Sequence, residues 1–203
     1  MRPGGDRSGK PKPFFAWNGL DSLRRLWYDE SAREEAFRVG CVLTEELYMK
    51  KIASFTINHE KLLPGLYVSR RDTRDGVTVT TFDLRFRAPN KEPVMDVPAM
   101  HTVEHLGATF FRNGEGSEDV VYFGPMGCRT GFYLLLFGEV SAADALDRVL
   151  AMCDFILSYE GDIPGASAVE CGNYSEQSLP MAKYYVGLYR EALLSHGRLV
   201  YPE

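Results

Sequence analysis

The stretch from Gly65 to Asn90 constrains the fold most. Two runs rich in β-branched and aromatic residues, "GLYVSRRDTR" and "VTVTTFDLRFRAPN", meet at Asp75-Gly76. An Asp-Gly pair between such runs is a strong hairpin signal, because a two-residue turn of this kind needs positive φ at its central positions. Val77, Val79, Phe82, Leu84 and Phe86 largely alternate along the second run, which predicts one face turned to a core. Two more apolar, aromatic runs, "DVVYFGP" and "TGFYLLLFGEV", are bounded by glycines and Pro125. An antiparallel sheet follows. Ser141 with Asp144 opens a helix whose Leu146, Val149, Leu150, Cys153 and Leu157 form one stripe. Ser178 and Pro180 open another, with Ala182, Tyr185, Val186, Tyr189 and Leu193 facing inward. Helices packed on one face of an antiparallel sheet make an α+β fold.

With 203 residues, 45% of them hydrophobic, the chain can bury one sizeable core, so a single compact domain is expected. Residues 1–13, rich in Gly, Pro and basic side chains, read as a disordered lead, and 18–39 read as helical. Together residues 1–48 form an N-terminal appendage, and Met49 opens the compact domain, 49–203. The net charge of -5 argues against a nucleic-acid partner or a basic membrane-binding face. No apolar run is long enough to span a bilayer, and the N-terminus lacks the apolar core of a secretory signal, so a cytoplasmic protein is expected. The four cysteines, Cys41, Cys128, Cys153 and Cys171, show no paired spacing and read as thiols.

The chemistry concentrates at "MHTVEH", residues 100–105, which holds two of the chain's four histidines. In a helix that turns about 100° per residue, His101 and His105 lie roughly 40° apart and one turn along the axis, so two imidazoles face one point. Glu104 sits on the same side as His101, placed to carry a proton or to support a ligand. Val103, Leu106 and Phe110 supply an apolar stripe opposite, and Pro98 favours a chain break just upstream. Solvated surface histidines would give the same pattern. Cys128 lies in "FGPMGCRTGFY", where glycines on both sides leave the thiol uncrowded and Arg129 could favour the thiolate; a small residue filling a turn is the plainer explanation. Cys171, in the polar loop "AVECGNYSEQ", could complete a His₂Cys set with one open position. A fourth ligand, which would make the site a structural staple, could come only from His59 or Cys153. Cys153 reads as core and His196 as solvated.

In their order and spacing, "MHTVEHLGATFFRN", "GPMGCRTGFYLLLFGE" and "ECGNYSEQSLPMAK" resemble the S-ribosylhomocysteine lyases, the LuxS family. The resemblance runs from Met49 to about Tyr189, including "ASFTINH" and "FDLRFRAPN", and leaves the first 48 residues unexplained. It implies a metal, natively ferrous iron and often zinc or cobalt in isolated protein, bound by His101, His105 and Cys171. It implies catalytic roles for Cys128 and Glu104, and a substrate pocket lined by Ser54, His59 and Arg85. It further implies a homodimer with active sites at the interface, where Ser54 and His59 come from the neighbouring subunit. The reaction would be cleavage of S-ribosylhomocysteine to homocysteine and dihydroxypentanedione, a quorum-sensing precursor and a step of methyl-cycle recycling. The chain departs from the common D-I-S-P-M-G-C pattern by carrying Tyr122 and Gly124 in place of an acid and a serine.

Two rivals remain at this point. His-x-x-Glu-His is also the inverzincin peptidase signature, and Glu170 could serve as that family's third ligand. A non-catalytic metal-binding module would have a closed fourth ligand and no use for Cys128.

Overall fold

The computed structural model describes residues 52–202 of the chain. The predicted lead at 1–13, the helix at 18–39, Cys41 and the boundary at Met49 lie outside the described residues. After a short helix α1 (Ala53–Thr56), strands β1 (Gly65–Arg74) and β2 (Val77–Arg85) pair antiparallel, from Gly65 opposite Arg85 to Arg74 opposite Val77. Asp75 and Gly76 both have positive φ, 53° and 81°, as the predicted two-residue turn requires. Strands β3 (Val120–Pro125) and β4 (Gly131–Phe137) complete a four-stranded antiparallel sheet of order β1-β2-β4-β3.

Register divides the sheet's chemistry into two faces. Phe82, Leu134 and Phe123 pair in one cross-strand row, and all three belong to the hydrophobic core. The adjacent row, Tyr67, Asp83, Tyr133 and Gly124, points to the opposite face. Alternation predicts a solvated polar side there. Instead Thr81, Asp83 and Arg85 are as buried as their apolar neighbours. Val77, at the hairpin end where both strands surface, is exposed.

Helices α2 (Val97–Asn113), α3 (Ala142–Ser158) and α4 (Leu179–His196) cover the apolar face. Each large core side chain withdrawn from water contributes about 1.5–3 kcal/mol, and the seam is aromatic: Phe86 stacks on Tyr189 at 4.0 Å and Phe123 on Phe132 at 5.3 Å between centroids. The inward stripe predicted for α4 is buried at all five positions, Ala182, Tyr185, Val186, Tyr189 and Leu193. The α3 start is a capping box between Ser141 and Asp144. Its buried face is rotated from the predicted one: Ala145, Met152 and Ile156 join Val149 and Cys153, while Leu146, Leu150 and Leu157 are only partly buried. Two other helix starts differ from expectation. Pro98 lies inside the first turn of α2, where its missing N–H costs nothing, and Asp96 caps that helix by accepting from the Ala99 N–H at 2.9 Å. The Ser178 side chain makes no cap; its backbone N–H donates to Thr102 Oγ1 at 2.8 Å, tying α4 to α2. Among the described residues no helix is long and apolar enough to cross a membrane.

Candidate metal centre and thiol cavity

Helix α2 sets His101 and His105 one turn apart, and their Nε2 atoms approach to 3.0 Å. Cys171, from the loop before α4, brings Sγ to 3.3 Å from His101 Nε2. Ligand atoms of the three residues lie within 4.8 Å of one another, the one such group of His, Cys, Asp or Glu among the described residues. Both rings are oriented through their other nitrogen. His101 Nδ1 lies 2.9 Å from the Glu176 carbonyl and His105 Nδ1 lies 2.7 Å from that of Pro164. A carbonyl can only accept, so each of these contacts favours the tautomer with its proton on Nδ1 and its lone pair on Nε2; the Gln177 Nε2 amide also lies 3.1 Å from His101 Nδ1. Gly165 makes room for this: its φ is +72°, and a Cβ there would come within 3.3 Å of His105 Nδ1. Thr102, fully buried, donates to Gln177 Oε1 at 2.7 Å and accepts from Ser178. This latch holds the strand of chain after Cys171 against the helix that carries the histidines.

Two imidazole nitrogens and one cysteine sulfur form a borderline-soft donor set that suits a first-row divalent metal. Neither proposed fourth ligand is in the group: Cys153 is buried in the core of α3, where burial pushes its thiol up to about 12, and His59 lines a different cavity. Glu170, the peptidase-like alternative, accepts from Ser167 Oγ at 2.6 Å and is not among the grouped ligands. Glu104 lines a cavity of about 340 Å³ together with His101, Met126, Gly127, Arg129 and Asn173.

Cys128 occupies the turn between β3 and β4 and is exposed. It lines a second cavity, of about 240 Å³, with His59, Asp83, Arg85 and Tyr133. Thr130 Oγ1 lies 3.1 Å from its Sγ, and Arg85 Nη1 reaches both Thr130 Oγ1, at 2.5 Å, and Sγ, at 3.9 Å. Burial alone would raise the thiol, but hydrogen bonding with Thr130 and the Arg85 charge outweigh it and hold Cys128 below the ordinary thiol range. The activating cation is therefore Arg85 and not the predicted Arg129, which lines the other cavity. Arg85 is itself held by Asp83, Nη2 to Oδ2 at 2.6 Å, and Tyr201 from the C-terminal tail donates to the same oxygen at 2.9 Å. Burial pushes the Asp83 carboxyl up from its usual range, against the pull of Arg85. Tyr201 stacks on Tyr67 with centroids 4.6 Å apart.

The residues singled out in the sequence thus fall into two sets. His101, His105, Cys171 and Glu104 share one region; His59, Arg85 and Cys128 share another; Met126 and Gly127 line the cavities of both Glu104 and Cys128. Ser54 falls in α1, and His196 is exposed as expected. Sequence reasoning missed Thr102, Gln177, Asp83, Thr130 and Tyr201. Asp83 and Arg85 alternate with apolar residues in "FDLRF", a signal that reads as a solvated pair until the opposite sheet face is known to be covered.

A profile of the S-ribosylhomocysteinase (LuxS) family matches residues 52–198. The chain is 54% identical to the S-ribosylhomocysteine lyase of Finegoldia magna over 157 residues, which is 76% of this chain and 100% of that protein. It is 52% identical to the S-ribosylhomocysteine lyase of Clostridium acetobutylicum, over 76% of this chain and 100% of that protein. Against the S-ribosylhomocysteine lyase of Phocaeicola vulgatus the identity is 47%, over 76% of this chain and 98% of the relative.

Proposed function

Because this chain belongs to the S-ribosylhomocysteinase (LuxS) family, it is an S-ribosylhomocysteine lyase, and we propose that the two residue sets described above divide the reaction between them. His101, His105 and Cys171 hold the metal, ferrous iron in the cell, with zinc or cobalt fitting the same donors. The observation that carries this reading is the convergence of ligand atoms of His101, His105 and Cys171 within 4.8 Å of one another. When bound, the metal supplies Lewis acidity that polarises a neighbouring substrate carbonyl.

The chain's own residues move protons. In open-chain S-ribosylhomocysteine the aldehyde is at C1 and sulfur is at C5, so no leaving group lies β to the carbonyl. Proton removal from the hydroxyl-bearing neighbour and return of a proton to the former carbonyl carbon shifts the carbonyl by one position. Two such shifts bring it to C3. A proton is then taken from C4, the C5–S bond breaks, and the electron pair leaves with sulfur, which is protonated to give homocysteine. The other product is dihydroxypentanedione, and no oxidant or reductant is consumed. Cys128, whose thiolate is favoured by Thr130 and Arg85, and Glu104 carry these protons. Arg85, His59 and Ser54 bind the substrate's polar groups.

The metal ligands and Cys128 line separate cavities of one chain, which supports a site completed by a second copy. We assign the metal ligands and Glu104 to one subunit, and Cys128, Arg85, His59 and Ser54 to its partner in a homodimer of the cytoplasm. Anaerobic incubation of iron-loaded protein with S-ribosylhomocysteine, following free thiol, tests the reading. Wild type should release homocysteine, and metal-loaded Cys128→Ser and Glu104→Gln should not. Undiminished release by either variant would remove that residue from the mechanism.

A further inference from the structure

The Arg85 guanidinium is shared between two anionic neighbours. Asp83 Oδ2 takes its Nη2 at 2.6 Å, while its Nη1 turns to Thr130 Oγ1 and, at 3.9 Å, to Cys128 Sγ. The side chains of the ion pair are only 3% and 2% exposed, so solvent screens their attraction little. The pair is nevertheless joined through one oxygen. Asp83 Oδ1 and Arg85 Nε, which a two-pronged carboxylate pair could use, have no partner among the described residues. A third group meets the shared oxygen: Tyr201 donates to Asp83 Oδ2 at 2.9 Å, and its ring lies 17° from parallel on Tyr67, which fixes the hydroxyl there. Burial and the Asp83 charge hold the phenol above its ordinary range, so at neutral pH it remains a donor, with Ser69 bonded to the same hydroxyl. The other titratable groups lining the cavity are His59, from the segment before β1, and Tyr133 on β4. They act on the network as charges, His59 on Asp83, and Tyr133 with Asp83, Arg85 and Cys128; Arg70 faces Tyr133, and Arg198 faces Tyr67.

We propose that Tyr201 is a positioning residue for Cys128: by occupying part of Asp83 Oδ2, its hydroxyl keeps the carboxylate from drawing Arg85 into a two-pronged pair and leaves Nη1 directed at Thr130 and the thiol. Its weight in the reaction rests on reading Cys128 as a proton carrier. The physical step is competition for one acceptor. Relieved of the phenol, Asp83 pulls harder on the guanidinium, Nε and Oδ1 are free to close a second bond, and the long Nη1-to-Sγ contact is the one that gives way. Tyr201 is not among the residues lining the Cys128 cavity, so its effect reaches the thiol through Asp83 and Arg85.

Tyr201→Phe in the metal-loaded, full-length protein removes the hydroxyl and keeps the stack. Alkylation of Cys128 by iodoacetamide, followed across pH by mass spectrometry of its peptide, should move its midpoint upward and slow about threefold at pH 7. In homocysteine release kcat should fall about threefold with KM within about twofold, because the substrate contacts stay in place. Tyr201→Leu, which gives up the stack as well, should lower Tm further yet move the alkylation midpoint no more than Tyr201→Phe does. An unmoved or lowered midpoint in Tyr201→Phe overturns the proposal. So does a midpoint that moves only in Tyr201→Leu, since the residue would then act through packing alone. If wild-type enzyme releases no homocysteine, the lyase reading fails separately, and the alkylation profile still decides the role of Tyr201.

Discussion

Around His101 and His105 the supporting groups are main-chain carbonyls, those of Glu176 and Pro164, whereas around Cys128 they are side chains: Thr130, Arg85 and, behind it, Asp83. A carbonyl carries no titratable charge and survives substitution of its residue, so the metal ligands are aimed by the path of the backbone. The thiol cavity depends on a balance of charges, and its buried Asp83 Oδ1 and Arg85 Nε have no hydrogen-bond partner among the described residues. One half of the site is fixed by shape. The other is held in an electrostatic state that a single side chain can shift, which suits the proton-carrying role proposed for Cys128.

The largest effects should come from Cys128 and Glu104, the proposed proton carriers. Cys128→Ser and Glu104→Gln should each lower homocysteine release about a thousandfold while leaving bound metal unchanged. Co-expressing the two variants with different tags should restore about a quarter of wild-type activity, because half of the dimers are mixed and each mixed dimer has one intact composite site. No recovery would place Cys128 and Glu104 in the same subunit's site and collapse the division drawn above.

Asp83→Ala should follow, destabilising the fold by about 3–5 kcal/mol in urea unfolding, since it strands the buried Arg85 charge. Metal affinity of the folded protein should be unaffected; a parallel loss would show that the two halves are not independent. On the metal side the latch is the exposed weakness. Thr102→Val should weaken metal binding roughly tenfold in chelator competition, and Thr102→Ser should restore it. The smallest effect is a shift in pH profile. Thr130 lowers the Cys128 thiol, so the native alkylation midpoint should lie below the ordinary thiol value of about 8.5, and Thr130→Val should move it upward with no change in metal affinity.

Much of this was legible in the sequence. The Asp75-Gly76 turn fixed the hairpin, the α4 stripe marked its buried face residue by residue, and the i, i+4 spacing of His101 and His105 faced them to one point. Local patterns of this kind depend on periodicity, which a sequence displays directly. The cation beside Cys128 was assigned to its chain neighbour Arg129, yet it is Arg85, brought by the pairing of β2 with β4. Thr102, Gln177 and Tyr201 escaped for the same reason, because their partners are 75 and 118 positions away along the chain. The burial of Asp83 and Arg85 was hidden because alternation reports which face a residue takes and not whether that face is covered.

The Tyr201 contact ties residues 198–201 to the wall of the Cys128 cavity. Leu66 N–H pairs with the Arg198 carbonyl at 3.0 Å, and three residues later Tyr201 lies flat on Tyr67 with its hydroxyl on Asp83. A chain cut before Tyr201 would lose this contact and perturb the guanidinium that faces Cys128. Loss of the Tyr201 side chain should register first as altered thiol reactivity rather than as unfolding.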